Sequence, residues 1–176
     1  MKRLVLALMI LVMATPLFAA DAYVGLFADN MHSDCDVYLA GSFMPFELWI
    51  WFVAPVVGVQ AAEYRVVAPA YVILSTVTTN PDISVTLGDP VAGISVAFYG
   101  CNPSWVWTQH IACFLTAPGP GYIQIDRRLD VPAIQIASCE LGYPIYTATV
   151  LNHLAIGQGC VVATEESSWG AIKSLF

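Results

Sequence analysis

The apolar residues of this chain come in short runs, each closed within a few residues by Gly, Pro, Asn or Asp, and this punctuation restricts the fold more than any other feature. Such runs are too short for core helices. Rich in Val, Ile, Thr and aromatic residues, they suit a pleated, half-buried surface instead. Strands are expected over 22–27, 46–53, 61–68, 71–78, 83–87, 93–99, 105–116 and 122–126, with 133–137 and 145–150 as further strands. Turns fall at Asn80-Pro81-Asp82, Gly88-Asp89-Pro90, 100–103 and 118–121, where Pro and Gly preset turn geometry. The expected class is all-β, a sandwich or barrel. With 176 residues the chain suits one domain with a real core.

The N-terminus reads as an export signal. Lys2 and Arg3 precede the apolar run 4–13, followed by Pro16 and the small residues Ala19 and Ala20. The expected organisation is a signal over 1–19, a β-domain over 20–162 and an amphipathic tail over 163–176. Loss of Lys2 and Arg3 takes the 6 basic residues to 4 against 13 acidic ones, a net −9. That balance excludes a basic nucleic-acid footprint and helps keep an apolar exported protein in solution. Secretion or cell-surface display is the expected location.

All five cysteines, Cys35, Cys101, Cys113, Cys139 and Cys160, lie beyond the signal. In an oxidising compartment the simplest account is two disulfides and a leftover thiol, with the connectivity open. The favoured pairs are Cys139 with Cys160 and Cys35 with Cys101, which leaves Cys113. No CxxC pair accompanies them and no histidine is spaced as a ligand, so neither a metal nor another cofactor is expected.

The run FELWIWFVAPVVGVQAA (46–62) has the length of a membrane span, but Glu47, Pro55 and Gly58 interrupt it, and no span is expected in the exported chain. As a strand it places Phe46, Leu48, Ile50 and Phe52 on one face and Glu47, Trp49, Trp51 and Val53 on the other. Trp105 and Trp107 form a second pair two residues apart. These four tryptophans either fill the core or meet a partner. In 61–67, Glu63 and Arg65 share a face and read as solvated, opposite Ala62, Tyr64 and Val66.

Catalytic signals are thin. The cluster Asp29-Asn30-Met31-His32-Ser33-Asp34-Cys35-Asp36 has oxygens for Ca²⁺ without the register of an EF-hand, and reads better as a solvated loop. His110 sits among apolar neighbours and is expected to share a face with Thr108 and Ala112; a hydrogen-bonded histidine suits it better than a general base. Neither a nucleophile elbow, a zinc-protease helix nor a phosphate loop is present.

The ending TEESSWGAIKSLF has clear pattern. Glu165, Glu166, Ser167 and Ser168 can cap a helix beginning near Trp169. Trp169, Ile172 and Phe176 then form one apolar stripe. A helix this short needs a surface to dock on.

The signal, the A-E-Y-R-V strand, GDPVAGISVAFYGC (88–101), the cysteine-bounded C-terminal section and the W-G-x-I-K ending together resemble short secreted proteins of uncultured bacteria with cohesin-like or immunoglobulin-like β-sandwiches. The resemblance implies that fold, export, and a tail used for sorting or attachment; it supplies no catalytic residues. The expected function is a non-catalytic binding or structural module at the cell surface or in an extracellular assembly. Its candidate contacts are Trp49, Trp51, Trp105, Trp107, Trp169, Ile172 and Phe176, toward a protein or extracellular matrix partner, with self-association left open. The rival readings are a filament or layer subunit that polymerises by strand addition, and a secreted hydrolase bringing His110 or His32 to acids from other loops.

Overall fold

Alternation of buried and exposed residues along β3 (Pro45–Val53), β4 (Val59–Val67), β7 (Gly93–Asn102) and β8 (Val106–Leu115) is the signature of strands with one face in a core. The computed structural model describes residues 22–38, 41–54 and 58–160, and every regular element among them is a strand. The expected signal and tail lie outside the described residues, as do Trp169, Ile172 and Phe176. No helix among the described residues is long and apolar enough to cross a membrane.

Two sheets face each other. Sheet I runs β5 (Val72–Thr79), β8, β3, β1 (Ala22–Phe27) and β11 (Ile145–Asn152). Sheet II runs β6 (Ile83–Asp89), β7, β4, β10 (Gln135–Ser138) and again β11. The last of these strands belongs to both: Ile145, Tyr146 and Thr147 pair with β10, whereas Ala148 to Val150 pair in parallel with β1. One side of the sandwich is thereby closed. The outer half of β4 pairs with β9 (Gly121–Asp126), which carries β12 (Leu154–Ile156) and then β2 (Asp36–Val37).

The core fills with the inward residues of both sheets. Leu48, Ile50 and Phe52 of β3 meet Ala62, Tyr64 and Val66 of β4 in one buried cluster, and the Phe52 and Tyr64 rings lie 5.3 Å apart. Tyr64 is fully buried and its hydroxyl shares a 2.7 Å hydrogen bond with Thr108 Oγ1. Burial raises the Tyr64 pKa. A buried hydroxyl without a partner would cost about 1–3 kcal/mol, so the pair fixes how the sheets oppose each other.

The expected strands are present with shifted ends, and β2 and β12 are additional. The disulfides differ from the favoured pairing: Cys35 joins Cys160, Cys101 joins Cys139, and Cys113 remains a buried thiol. The short strands explain the first bond. Ala155 and Ile156 run beside Asp36 and Val37, so the chain leaving β12 returns to Cys35. The start of β4 explains the second, because Val59 pairs with Asn102 on one side and Ser138 on the other. Gly58, at φ 85°, lets the backbones approach there, since a Cβ would collide with the Asn102 carbonyl.

Burial pushes the Cys113 thiol up to about 12, and a thiol so held is poorly nucleophilic near neutrality. Non-reducing peptide mapping should recover the 35–160 and 101–139 pairs. Alkylation at neutral pH should leave Cys113 unmodified until the chain is unfolded; rapid labelling of the folded protein would refute its burial.

Candidate functional site

The outer face of sheet I carries the tryptophans. Trp49 is paired across β3 and β8 with His110, and the two rings stack at 4.2 Å and 15°. Trp107 meets Trp49 edge-on at 5.1 Å. Trp49 Nε1 donates to Glu47 Oε2 at 3.0 Å, and His110 Nε2 lies 3.5 Å from the same oxygen. A β-bulge makes this grouping possible. The register shifts so that Ile50 pairs with Gln109 but Trp51 with Trp107, leaving Thr108 as the extra residue. Thr108 turns into the core while Trp107 and His110 both face outward. The expectation that His110 shares a face with Thr108 is therefore corrected: one extra residue inverts the parity of the strand.

Trp105 lies over Tyr23, Val53 and Leu151, which form a small second apolar cluster on this outer face. Its ring stacks on His32 at 5.1 Å, and His32 is 4.9 Å from Trp51. The polar loop after β1 delivers that histidine. Asp29 Oδ1 accepts from the backbone N–H of Met31 at 3.0 Å and of Ser33 at 2.9 Å, and Oδ2 accepts from Ser33 Oγ at 2.5 Å. These bonds wind a tight turn with His32 at φ 47°. Desolvation lowers the His32 pKa, with Asp29 opposing it. The carboxylate that suggested a cation site thus holds a turn, and no group of metal-ligating residues occurs among the described residues. All four tryptophans are half-buried on this face and none belongs to the central core.

The outer face of sheet II is different in character and carries no motif. Cross-strand pairing aligns Ile145, Ala137, Ala61, Ala97 and Val85 in one row. The next row is Thr147, Gln135, Glu63, Ser95 and Leu87. Small side chains occupy the middle of a five-strand surface. A depression of about 160 Å³ opens over Ala61, Glu63, Gln135, Ala137 and Ile145. Exposed apolar residues flank it: Val85 (48%) and Leu87 (64%) on β6, and Tyr143 and Ile145 (both 60%) at the other side.

One charge sits amid these small residues and is held in place. Glu63 Oε1 accepts from Ser95 Oγ at 2.8 Å and lies 3.5 Å from Arg128 Nη1, which also donates to Ser95 Oγ. Asp130 grips the same guanidinium through bonds of 3.0 and 2.7 Å. Such a bidentate grip orients the arginine as well as pairing its charge. Glu63 and Arg65 lie on the outer face opposite buried Ala62, Tyr64 and Val66, as expected, and the register adds the neighbouring strands to that surface. Alanine at an outward position of three neighbouring strands, Ala61, Ala97 and Ala137, is the available signal.

Known proteins add a fold. No family model and no curated protein matches the sequence. Solved structures do. A non-cellulosomal cohesin from Archaeoglobus fulgidus superposes with TM-score 0.54 at 11% identity, over 86% of this chain and 98% of its own. A cohesin module from a family 33 glycoside hydrolase of Clostridium perfringens gives 0.53 at 12%, over 81% and 96%. A complex of CaCohA2 with a CaDoc0917 variant contributes a chain matching at 0.51 and 9%, over 77% and 97%. The chain is an all-β protein with a cohesin-like β-sandwich fold.

At the rim of the sheet II face, Arg65 Nη2 donates to Asp126 Oδ2 at 2.5 Å. That bond holds the Asp126 carboxyl below its ordinary 3.8, against a smaller opposing effect of burial. A depressed carboxylate stabilises the fold above its unfolded pKa and loses that contribution as pH falls through its folded value. Acid titration of unfolding should therefore show a stability increment that is present above pH 3.8 and is lost as pH falls below it, and that is missing at every pH in Arg65→Met. An identical pH profile for the variant would contradict the assignment.

Proposed function

We propose that this chain is an exported, non-catalytic protein-binding module whose partner surface is the outer face of sheet II. The observation that carries this reading is the cross-strand row of Ala137, Ala61 and Ala97, flat in the middle of the sheet and flanked by exposed Val85, Leu87, Tyr143 and Ile145. Small central side chains admit close approach of a partner backbone, and flanking apolar residues supply burial. Glu63, oriented by Ser95 and Arg128, offers a fixed acceptor in the centre. A chain that shares the fold occurs in the complex of CaCohA2 with a CaDoc0917 variant. Export is supported by the leader-like N-terminus and by the two disulfides.

The hydrolase reading finds little support among the described residues. The depression on sheet II is lined by one carboxylate and no histidine, and His110 and His32 are packed against tryptophan rings on the opposite sheet. Placing Arg in the centre of the flat face, as Ala97→Arg, should weaken capture of exported proteins from the same cells by about tenfold or more, roughly 1.4 kcal/mol. Trp49→Ala should leave that capture unchanged. Equal binding by Ala97→Arg would sink the proposed surface.

A second reading rests on β6, which among the described residues pairs only with β7 and is exposed from Ser84 to Asp89. An unpaired edge of this length can accept a strand from another copy. Strand addition predicts concentration-dependent oligomers on size exclusion that Thr86→Pro abolishes; a monomer at all concentrations removes this reading.

A further inference from the structure

We propose, resting on the reading of sheet II as the partner surface, that the segment docking there is a basic stretch of a different protein. It brings an aliphatic side chain for the depression and, beside it, a lysine or arginine for Glu63.

The size of the depression limits what enters it. Its volume of about 160 Å³ is about half that of the smallest ordinary ligand sites, which run from about 300 to 1,000 Å³. It therefore suits a single side chain better than a small molecule. Ala61, Ala137 and Ile145 give it an apolar lining, to which an aliphatic side chain is matched, and Glu63 and Gln135 are its polar members. Glu63 follows Ala61 by two residues on β4, so its side chain emerges on the same face about 7 Å along the strand. A partner meets both when it presents two side chains at about that separation, as residues two apart on a strand or three to four apart on a helix do.

Charge selects the second side chain. Glu63 Oε1 accepts from Ser95 and faces Arg128, whereas its other oxygen accepts no hydrogen bond among the described residues and the side chain is 34% exposed. Arg128 does not neutralise the group, because the Asp130 carboxylate holds the same guanidinium. One cation thus faces two carboxylates, and a negative charge is left over beside the depression. At the next outward position of β4, Arg65 is already balanced by Asp126. A second copy of this chain does not supply the missing cation. Arg65, Arg127 and Arg128 are the only lysines or arginines among the described residues, and they are engaged by Asp126, the Val131 carbonyl and Asp130. A lysine or arginine from another protein completes the arrangement, with a charge-assisted bond that strengthens as docking excludes water.

Selection from a phage-displayed library of random cysteine-free peptides, on the full chain with both disulfides formed, tests this chemistry. Peptides that bind the chain but not Ala137→Phe, which fills the depression without adding charge, mark the face. Such peptides are expected to carry Leu, Ile or Val with Lys or Arg two to four residues away. They should bind Glu63→Gln about tenfold more weakly. Glutamine keeps an acceptor for Ser95, so the network around Arg128 retains its geometry. Glu47→Gln, which removes the same charge from sheet I, should leave their affinity unchanged. Equal losses in the two charge variants would reduce the preference to net charge and overturn the proposal. Face-binding peptides without a cation would overturn it too, while leaving the partner surface standing. Peptides indifferent to both Ala137→Phe and Ala97→Arg would remove the surface itself, and the basic segment with it.

Discussion

A buried hydrogen bond crosses the core from Tyr64 on β4 to Thr108 on β8, 2.7 Å long, and much of the outer surface depends on it. Thr108 satisfies the hydroxyl only by turning inward, and strict alternation along β8 would then send His110 inward with it. The strand accommodates the inward turn with an extra residue, and the bulge brings both Trp107 and His110 to the outside beside Trp49. A polar requirement inside the sandwich thus decides the composition of an aromatic surface outside it.

The two outer faces show opposite solutions to covering a sheet. On sheet I the rings stand against one another and against two histidines, so the face is largely sealed by its own side chains. On sheet II one central row is Ala137, Ala61 and Ala97, which leaves the backbone close to the surface and the depression open. Aromatic stacking contributes about 0.5–1.5 kcal/mol per pair beyond burial and rigidifies the sheet. A flat surface of small residues contributes little to folding on its own account, and its stability comes from the core beneath it.

The strands were legible because two signals coincide in them: outward alternation, as in Glu63 and Arg65 against Tyr64 and Val66, and turn chemistry, as at Asn80-Pro81-Asp82. What was not legible has specific causes. The strands β2 and β12 are 2 and 3 residues long, below any periodicity, and exist through pairing with distant segments. Without them the return of Cys160 to Cys35 is invisible, and so the disulfide pairing is lost with them. The bulge at Thr108 inverts parity over the stretch that holds His110. The sheet II rows escape because alanine at an outward position announces neither core nor chemistry; only register, set by tertiary pairing, assembles Ala137, Ala61 and Ala97 into a surface.

The bond between Cys35 and Cys160 closes a loop with a sequence separation of 125. Were the chain anchored at one end and loaded at the other, tension would pass from the C-terminal segment through the sulfurs to the residues before Cys35. Nearly the whole sandwich would lie off the line of force. Only β1 and the flanking segments could be drawn out before a covalent bond carried the load. Under mechanical stress the domain would act as a link of limited extension, with most of both sheets kept folded beside the taut chain.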